Sequence, residues 1–227
     1  MPGDGKRRVF LAEDHPLVRD WLTHLIHQQP DLTVCGAAGT AKEALAALRQ
    51  LQPDLALVEI GIPGSSGLNL IREIRCLAPP TAILVFSTYD ESLYAQRAIR
   101  AGALAYVNKR KATLDLIPAM QAALHRRRYF SDEFKHRAIE HIFGTGARFG
   151  LSALSDRELE IFRLLGQGLQ TGTIAQGCHI SIKTVQMHCK RMKAKLQLDS
   201  GAQLVREATL WWEAQRNNRM SLGKMLG

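Results

Sequence analysis

Four short apolar runs in the first half of the chain are each followed by side chains that could do chemistry. These side chains are Glu13 and Asp14, then Glu59, then Ser87 and Thr88, and last Lys109. Carboxylate oxygens are the ligands that Mg²⁺ prefers. A hydroxyl together with an ammonium group can neutralise charge that develops on a phosphoryl group. The set therefore indicates phosphoryl chemistry at a single site.

The spacing of the apolar runs predicts the elements that would bring these side chains together. The runs are Val9 to Ala12, Thr33 to Ala37, Leu55 to Val58, Ala82 to Phe86 and Leu104 to Val107. Segments between them, such as Ala41 to Leu51 and Ser92 to Ala101, have the apolar spacing of a helix with one buried face. Alternating strands and helices predict an α/β fold with a five-stranded, doubly wound parallel sheet. Such a sheet binds its ligand at the carboxyl ends of the strands.

The order of acidic pair, acidic acceptor, hydroxyl and lysine resembles the receiver domain of bacterial response regulators, over roughly residues 7 to 126. The resemblance implies a CheY-like fold and a role for each side chain. Glu13 and Asp14 would hold Mg²⁺, which is a possible cofactor although none is required. Ser87 would contact the phosphoryl group, Lys109 would pair with it, and Tyr106 would be the aromatic residue that reports the switch.

Glu59 stands where the family has an aspartate as phosphoacceptor. The extra methylene moves the carboxylate by roughly 1.5 Å, and displacements of about 1 Å can slow phosphoryl transfer around 100-fold, so inefficient phosphorylation is expected. Glu59 could reach Lys109 or Ser87 and hold the active arrangement, as a partial mimic of a phosphoryl group. Alternatively the pocket is retired and the domain serves as a dimerisation or partner surface. A third interpretation is that some phosphorylation persists.

The second half of the chain is basic and contains the pattern of a helix-turn-helix. Residues 1–126 carry 14 Lys/Arg against 12 Asp/Glu, whereas residues 127–227 carry 16 against 9. This excess favours a polyanionic partner, with nucleic acid first. Ser155 and Glu158 form a capping-box pattern that opens one helix, and Ser181 is expected to cap another that ends near Leu196.

The segment from Leu151 to about Trp212 resembles the DNA-binding domain of the LuxR/NarL type, an all-α domain of four helices. The resemblance implies that the second helix of the motif enters the major groove of double-stranded DNA. Val185, Met192 and Leu196 would face the core, and His188 is interpreted as a structural or phosphate-contacting residue. The predicted DNA-binding residues are Lys183, Thr184, Gln186, Met187, Lys190, Arg191 and Lys193.

The last helix of the domain presents an apolar stripe made of Leu204, Val205, Ala208 and Trp211. In the family this helix dimerises, so a homodimer that matches two half-sites is expected. The competing interpretation is that the stripe only packs on its own domain. Two departures from the family indicate modest DNA affinity: Gly172 and Thr173 weaken the first helix of the motif, and His179 occupies a turn position where glycine is common.

The chain is therefore divided into a receiver-like domain at 7–126, a linker at 127–150, a helix-turn-helix domain at 151–213 and a flexible tail at 214–227. The linker is expected to contain an amphipathic helix, Ser131 to Phe143, and a glycine-rich hinge. Pro118 lies in the last helical pattern of the receiver. Since proline suits only a first turn, that helix is expected to start late, with Asp115 as its cap.

Cysteine spacing and hydropathy bear on the compartment. Cys35, Cys76, Cys178 and Cys189 lack C-x-x-C spacing and are expected to be reduced thiols. No apolar run approaches the roughly 20 residues that a membrane span needs. The protein is thus expected to be cytoplasmic, with no membrane contact.

The leading hypothesis is an atypical response regulator of the NarL/FixJ family that binds DNA as a homodimer and acts largely independently of phosphorylation. One alternative is a phosphorylation-responsive two-component regulator with a histidine kinase as partner. Another is a protein-interaction adaptor with a retired pocket. A hypothesis from a different class is a metal-dependent phosphohydrolase built on Glu13, Asp14, Glu59 and Lys109, although the chain is not expected to be an enzyme.

Overall fold

The computed structural model describes residues 5–136 and 150–225, without the side chains of 111–113 and 217–225. Backbone contacts divide the chain into two compact units, and the boundary along the chain falls between residues 138 and 139. The first unit is an α/β sandwich and the second is all-α. Each is described by itself.

The sheet of the first unit is parallel and doubly wound. Its strands are β1 (Arg7–Ala12), β2 (Leu32–Ala38), β3 (Leu55–Val58), β4 (Ala82–Ser87) and β5 (Ala105–Asn108). The spatial order is β2-β1-β3-β4-β5, and every neighbouring pair is parallel. The order of the strands reverses between β1 and β3, so the carboxyl ends of these two strands flank the crevice where such sheets bind ligands. The predicted fold is confirmed.

Five helices cover the two faces of the sheet. They are α1 (Pro16–His27), α2 (Ala41–Leu51), α3 (Gly67–Leu77), α4 (Glu91–Ala101) and α5 (Ala112–Leu124). Thr40, Ser66 and Asp90 cap the middle three, each accepting a hydrogen bond from a backbone N–H of the first turn. One core lies between the sheet and the pair α1 and α5, where Leu22 and Met120 are fully buried.

Helix α5 starts earlier than the sequence predicts. It begins at Ala112, and Pro118 lies inside it. Leu116 and Met120 are fully buried on this helix, whereas Pro118 is exposed. Apolar burial therefore outweighs the lost backbone hydrogen bond, and water can reach the carbonyl that proline leaves free. Asp115 does not cap the helix but accepts a hydrogen bond from the Tyr129 hydroxyl at 3.0 Å.

The chain that follows α5 returns to the edge of the sheet. Tyr129 forms a parallel bridge with Ala105 of β5, and the backbone of Ser131 donates to Glu91 at 3.0 Å. Residues 132–136 are helical, where the sequence predicts the linker helix to begin. The rest of the predicted linker helix and hinge, residues 137–149, lies outside the described residues.

In its described residues the second unit has four helices, which follow a short 3₁₀ turn, Gly150–Ala153. They are α6 (Asp156–Gly166), α7 (Thr171–Gly177), α8 (Ile182–Leu196) and α9 (Gly201–Met225). The Ser155–Glu158 capping box and the Ser181 cap are both present, as predicted. Helix α6 packs closely on α9, since a Cβ on Gly166 would lie 2.3 Å from the Ala208 carbonyl oxygen.

Helix α9 continues to Met225, through the segment 214–225 that the sequence assigns to a flexible tail. Gln215 on this extension is buried, so the helix makes contacts beyond residue 213, where the predicted domain ends. No helix in the described parts of the chain is long and apolar enough to cross a membrane. The four cysteines are free thiols, as expected.

Candidate phosphoryl pocket and DNA-binding face

The centre of the receiver pocket is an ion cluster at the carboxyl ends of the strands. The Lys109 ammonium lies 2.6 Å from Glu13 Oε2 and 2.5 Å from Glu59 Oε2. The three side chains come from the ends of β1, β3 and β5, and all are more than 90% buried. One cation therefore serves two carboxylates, and the cluster has a net charge of −1 when all three groups are ionised.

Glu59 is held on its other oxygen by two further donors. The Ser87 hydroxyl donates to Oε1 at 2.6 Å, and the Gly61 backbone N–H donates to the same atom at 2.9 Å. The sequence left open whether Glu59 reaches Lys109 or Ser87. In the structure the longer side chain contacts both.

Tyr106 is fully buried beside this cluster. Its hydroxyl donates to the Tyr89 carbonyl oxygen at 2.9 Å, and the Asn108 amide donates to the same oxygen at 3.1 Å. The Tyr89 backbone N–H donates to Ser87 Oγ at 3.2 Å. A hydrogen-bonded route thus runs from Glu59 through Ser87 to Tyr106.

The sequence did not identify Tyr89, Asn108 or the Gly61 amide as parts of the pocket. Tyr89 and Gly61 act through backbone atoms, which residue type does not reveal. Asn108 lies directly before Lys109 at the end of a strand, and that position was the available signal. Below the cluster, Lys109 stands 5.4 Å from the centre of the Phe86 ring, which stacks on Trp21 at 6.3 Å.

The other predicted pocket residues are close to the cluster in sequence but differ in their contacts. Asp14 is half-buried. Thr88 is buried, and its hydroxyl has no hydrogen-bond partner within the described residues. No group of three or more His, Cys, Asp or Glu residues in the described part of the chain could hold a metal ion. Lys109 already pairs with both buried carboxylates, Glu13 and Glu59, so a Mg²⁺ ion would have to compete with this ammonium for their oxygens.

The electrostatics of the cluster depend on burial. Burial raises the pKa of Glu13 to about 7, with Glu59 adding to the shift and Lys109 opposing it. Burial alone would lower the pKa of Lys109, but the two carboxylates raise it above its ordinary value. Burial also raises the pKa of Tyr106 well above its usual value. The lysine is therefore charged at neutral pH, and the cluster takes up a proton in mildly acidic solution.

This proton uptake predicts that the pocket stabilises the receiver more at pH 5 than at pH 8. The pKa of Glu13 is about 7 in the fold against 4.5 for a model glutamate. Its contribution is therefore complete below pH 4.5 and is lost as the pH rises through 7. The expected loss is on the order of 2–3 kcal/mol relative to Glu13→Gln.

Calorimetric unfolding of the native chain and of Glu13→Gln at pH 5, 6, 7 and 8 would measure this effect. The difference in unfolding free energy between the two chains should fall as the pH rises. A constant difference would contradict the assignment of the proton to Glu13. Carboxylates outside the cluster titrate equally in both chains, so they cancel.

The DNA-binding face lies on α8 of the second unit. Val185 and Met192 are fully buried, as predicted. Among the predicted DNA-binding residues, the exposed ones are Lys183, Gln186, Met187, Lys190 and Arg191, and the half-buried ones are Thr184 and Lys193. The hydroxyls of Ser181 and Thr184 lie 2.8 Å apart at the start of the helix. The solvent-facing side of α8 therefore has the cations and the polar side chains that groove binding requires.

Two histidines of the motif have separate roles. His179 adopts a positive φ of 54° in the turn between α7 and α8, which confirms that the turn needs a left-handed residue. His188 is half-buried, and its Nδ1 has no hydrogen-bond partner within the described residues. Burial lowers the pKa of His188, with Arg191 adding to the shift. A neutral, inward imidazole fits the structural role that the sequence proposed better than a phosphate contact.

The prediction that the apolar stripe of α9 forms the dimer contact requires a correction. Leu204 and Ala208 are buried in the core of their own unit, and Trp211 packs against Phe162 of α6 with ring centres 5.9 Å apart. These positions were predicted to form the dimer contact, but the side chains of Leu204 and Ala208 are covered within the unit, and Trp211 is half-buried. Val205 remains exposed. The interpretation that the stripe packs on its own domain therefore accounts for Leu204, Ala208 and Trp211.

Comparison with protein-family models matches both units. Residues 9–121 match the response regulator receiver domain, and residues 152–208 match the luxR family of bacterial regulatory proteins. An uncharacterized transcriptional regulatory protein of Bacillus subtilis, YxjL, is 32% identical over 88% of this chain and 94% of its own. The nitrate/nitrite response regulator NarL of Escherichia coli is 29% identical over 92% of this chain and 95% of its own.

Solved structures include a similar protein on DNA. RcsB of Salmonella enterica, bound to the rprA promoter in the presence of the phosphomimetic BeF₃⁻, superposes with a TM-score of 0.72. It is 25% identical, and the match covers 90% of this chain and 98% of that one. Both units of this chain thus have counterparts in one protein, in the same order.

Proposed function

The chain belongs to the response regulators of the NarL/FixJ type, which are DNA-binding transcription regulators, and from this premise we propose that it binds its operators without phosphorylation. Glu59 would take the part that a phosphorylated acceptor takes in the family. The observation that carries the proposal is the pair of contacts that Glu59 makes, to Ser87 at 2.6 Å and to Lys109 at 2.5 Å. These two side chains are the donors that the receiver family directs at the phosphoryl group.

The length of the side chain supports this role. An aspartate carboxylate would lie roughly 1.5 Å further back, too far to keep a hydrogen bond of 2.6 Å to Ser87 if the backbone stays in place. With Ser87 drawn toward the acceptor, Tyr106 can lie inside and donate to Tyr89. If Tyr106 reports the state of the switch, its buried position would correspond to the active state.

The mimicry is partial. A carboxylate brings about one negative charge and two oxygens, whereas a phosphoryl group brings up to two charges and three acceptor oxygens. Thr88 fits this difference, because its buried hydroxyl finds no acceptor within the described residues. Glu59 would therefore hold the active state incompletely, while its engaged oxygens would make it a poor phosphoacceptor. Neither a kinase nor Mg²⁺ would be required.

Direct binding experiments test this function. Unphosphorylated protein in phosphate-free buffer should select a preferred duplex from a random-sequence library. The logarithm of its association constant should fall linearly with the logarithm of the salt concentration. Acetyl phosphate with Mg²⁺ should change that affinity less than twofold. Absence of any preference over heparin would refute operator binding, and a tenfold gain with acetyl phosphate would refute phosphorylation independence.

We further propose that the active species is a homodimer, as two half-sites on DNA would require. RcsB, which carries the same two units, was solved on promoter DNA. The only α9 position of the predicted stripe with an exposed side chain is Val205, which makes it the candidate contact on that helix within the described residues.

A further inference from the structure

Two adjacent residues at the start of α6 contact the helix-turn-helix at two separate places. Glu158 accepts a hydrogen bond from the Lys195 ammonium, in the last turn of α8, at 2.6 Å. Arg157 donates to the carbonyl oxygen of Cys178, at the end of α7. The first turn of one helix therefore contacts both the turn of the motif and the far end of the recognition helix.

Glu158 is bound more firmly than a surface acid. Its side chain is 3% exposed, and the oxygen that meets Lys195 also accepts from the Ser155 backbone N–H at 2.7 Å. Burial raises the pKa of this carboxyl, but the hydrogen bonds from Lys195 and Ser155 more than offset it and lower the pKa below the ordinary value. The carboxylate is charged at neutral pH, and its capping role fixes its position before Lys195 is considered.

Lys195 differs from the other cations of α8. Lys183, Lys190 and Arg191 are exposed on the helix surface, free of any acid that the described contacts show. Lys195 instead turns its ammonium toward the buried Glu158. Its side chain is 38% exposed, but the ammonium is paired with an acid of its own domain, so its function is better sought there than at a phosphate.

The motif needs an external restraint because its first helix is weak. Helix α7 has seven residues, among them Gly172, and a short helix with glycine holds little orientation by itself. Met192 and Val185 anchor α8 by apolar burial, which is non-directional. The two directional contacts are the one from Arg157 to the turn before α8 and the one from Glu158 to the last turn of α8. Together they set the rotation of α8 about its axis and its position along that axis. Base readout needs this, since hydrogen bonds weaken steeply with distance and angle.

We propose that Glu158 is a positioning residue for DNA recognition: with Lys195 and Arg157 it holds α8 at the roll and depth from which Gln186 and Met187 meet base edges. The inference rests on the DNA binding of the family and not on the role of Glu59. It separates two properties of the domain. Specific binding depends on the ion pair between Glu158 and Lys195, which we call the bridge. Nonspecific binding depends on the phosphate-facing cations and not on the bridge.

Paired affinities test the proposal in the full-length chain. Dissociation constants are measured for the best duplex that the native chain selects from a random library and for a scrambled duplex of equal length. Glu158→Gln and Lys195→Met approach the bridge from its two sides, and Lys195→Met leaves the capping box intact. Each should weaken specific binding about tenfold and lower the specific-to-scrambled ratio by a similar factor. Helix content by circular dichroism should stay native.

Matched variants separate positioning from stability and from charge. Glu213→Gln removes an exposed acid of α9 and should leave the ratio unchanged. Lys193→Met removes a neighbouring cation and should weaken binding to both duplexes alike. A merely structural bridge would lower the folded fraction and weaken both duplexes equally, so an unchanged ratio in Lys195→Met would overturn the proposal. Failure of the native chain to select any duplex would instead refute operator binding.

Discussion

Glutamine at position 59 is expected to weaken operator binding by the unphosphorylated chain about tenfold, within the roughly 5- to 150-fold range of ordinary allosteric coupling. The amide can still accept from Ser87, but it loses the charge that attracts the Lys109 ammonium at 2.5 Å. Lys109 would then pair with Glu13 alone. Fluorescence anisotropy with the selected duplex, together with sedimentation analysis of dimerisation, measures the loss.

Aspartate at the same position should behave differently from glutamine. The shorter carboxylate retains its charge but falls short of Ser87, so Glu59→Asp should also start at low affinity. Beryllofluoride with Mg²⁺ places three fluorine atoms where a phosphoryl group has its oxygens, and it should raise the affinity of Glu59→Asp toward the native value while leaving the native chain and Glu59→Gln unchanged. Glu73→Gln, an exposed acid on α3, is the control for loss of one carboxylate.

Equal affinity and equal dimerisation of all four chains would show that the pocket no longer controls DNA binding. The hypothesis of a retired pocket on a partner surface would then replace the present one. A native chain that gained affinity with beryllofluoride would instead return the protein to conventional phosphorylation control. The variant series thus separates the three interpretations of Glu59 that the sequence left open.

The architecture of the receiver could be predicted because parallel strands buried on both faces are continuous apolar runs. Leu55–Val58 was predicted with its observed bounds, and so was helix Ala41–Leu51. Because the carboxyl ends of parallel strands lie at one edge of the sheet, Glu13, Glu59 and Lys109 could be placed together from the sequence. This placement does not depend on side-chain conformation. What the sequence could not decide was whether Glu59 would reach Ser87 or Lys109, because that depends on which oxygen faces which donor.

The errors arose where a local rule competed with packing. Proline disfavours a helix interior, but Leu116 and Met120 bury enough apolar surface to carry α5 through Pro118. An apolar stripe on α9 indicates that these side chains are buried, but it does not indicate whether a dimer partner or the same domain buries them. The close approach of α6, which Gly166 permits, makes the chain itself the cover for Leu204 and Ala208.

Contacts between distant residues were the part least accessible to sequence. Glu158 was identified as part of a capping box, which is a local property. The residues that Arg157 and Glu158 contact, Cys178 and Lys195, lie 21 and 37 residues away. Lys195 belongs to a helix rich in cations, and composition does not reveal that its ammonium pairs with a buried acid.

Removal of Lys190 and Arg191 together is expected to have the other large effect on DNA binding. Both side chains are exposed on α8. If each meets a phosphate or a guanine edge, the double alanine variant should bind the selected duplex about 10- to 100-fold more weakly. The plot of log affinity against log salt should become shallower by about 2 units.

The control must remove the same charge from the same unit without touching the recognition helix. Arg206 and Arg216 are exposed on α9, and their double alanine variant has the same net charge as the test chain. If the net charge of the basic unit drove binding, the two variants would weaken it equally, because both lose two positive charges. At physiological salt, charges more than about 8 Å from the DNA are largely screened, so only charges close to the phosphates should matter individually. A larger loss and a shallower salt slope in Lys190→Ala/Arg191→Ala alone would place the phosphate contacts on α8.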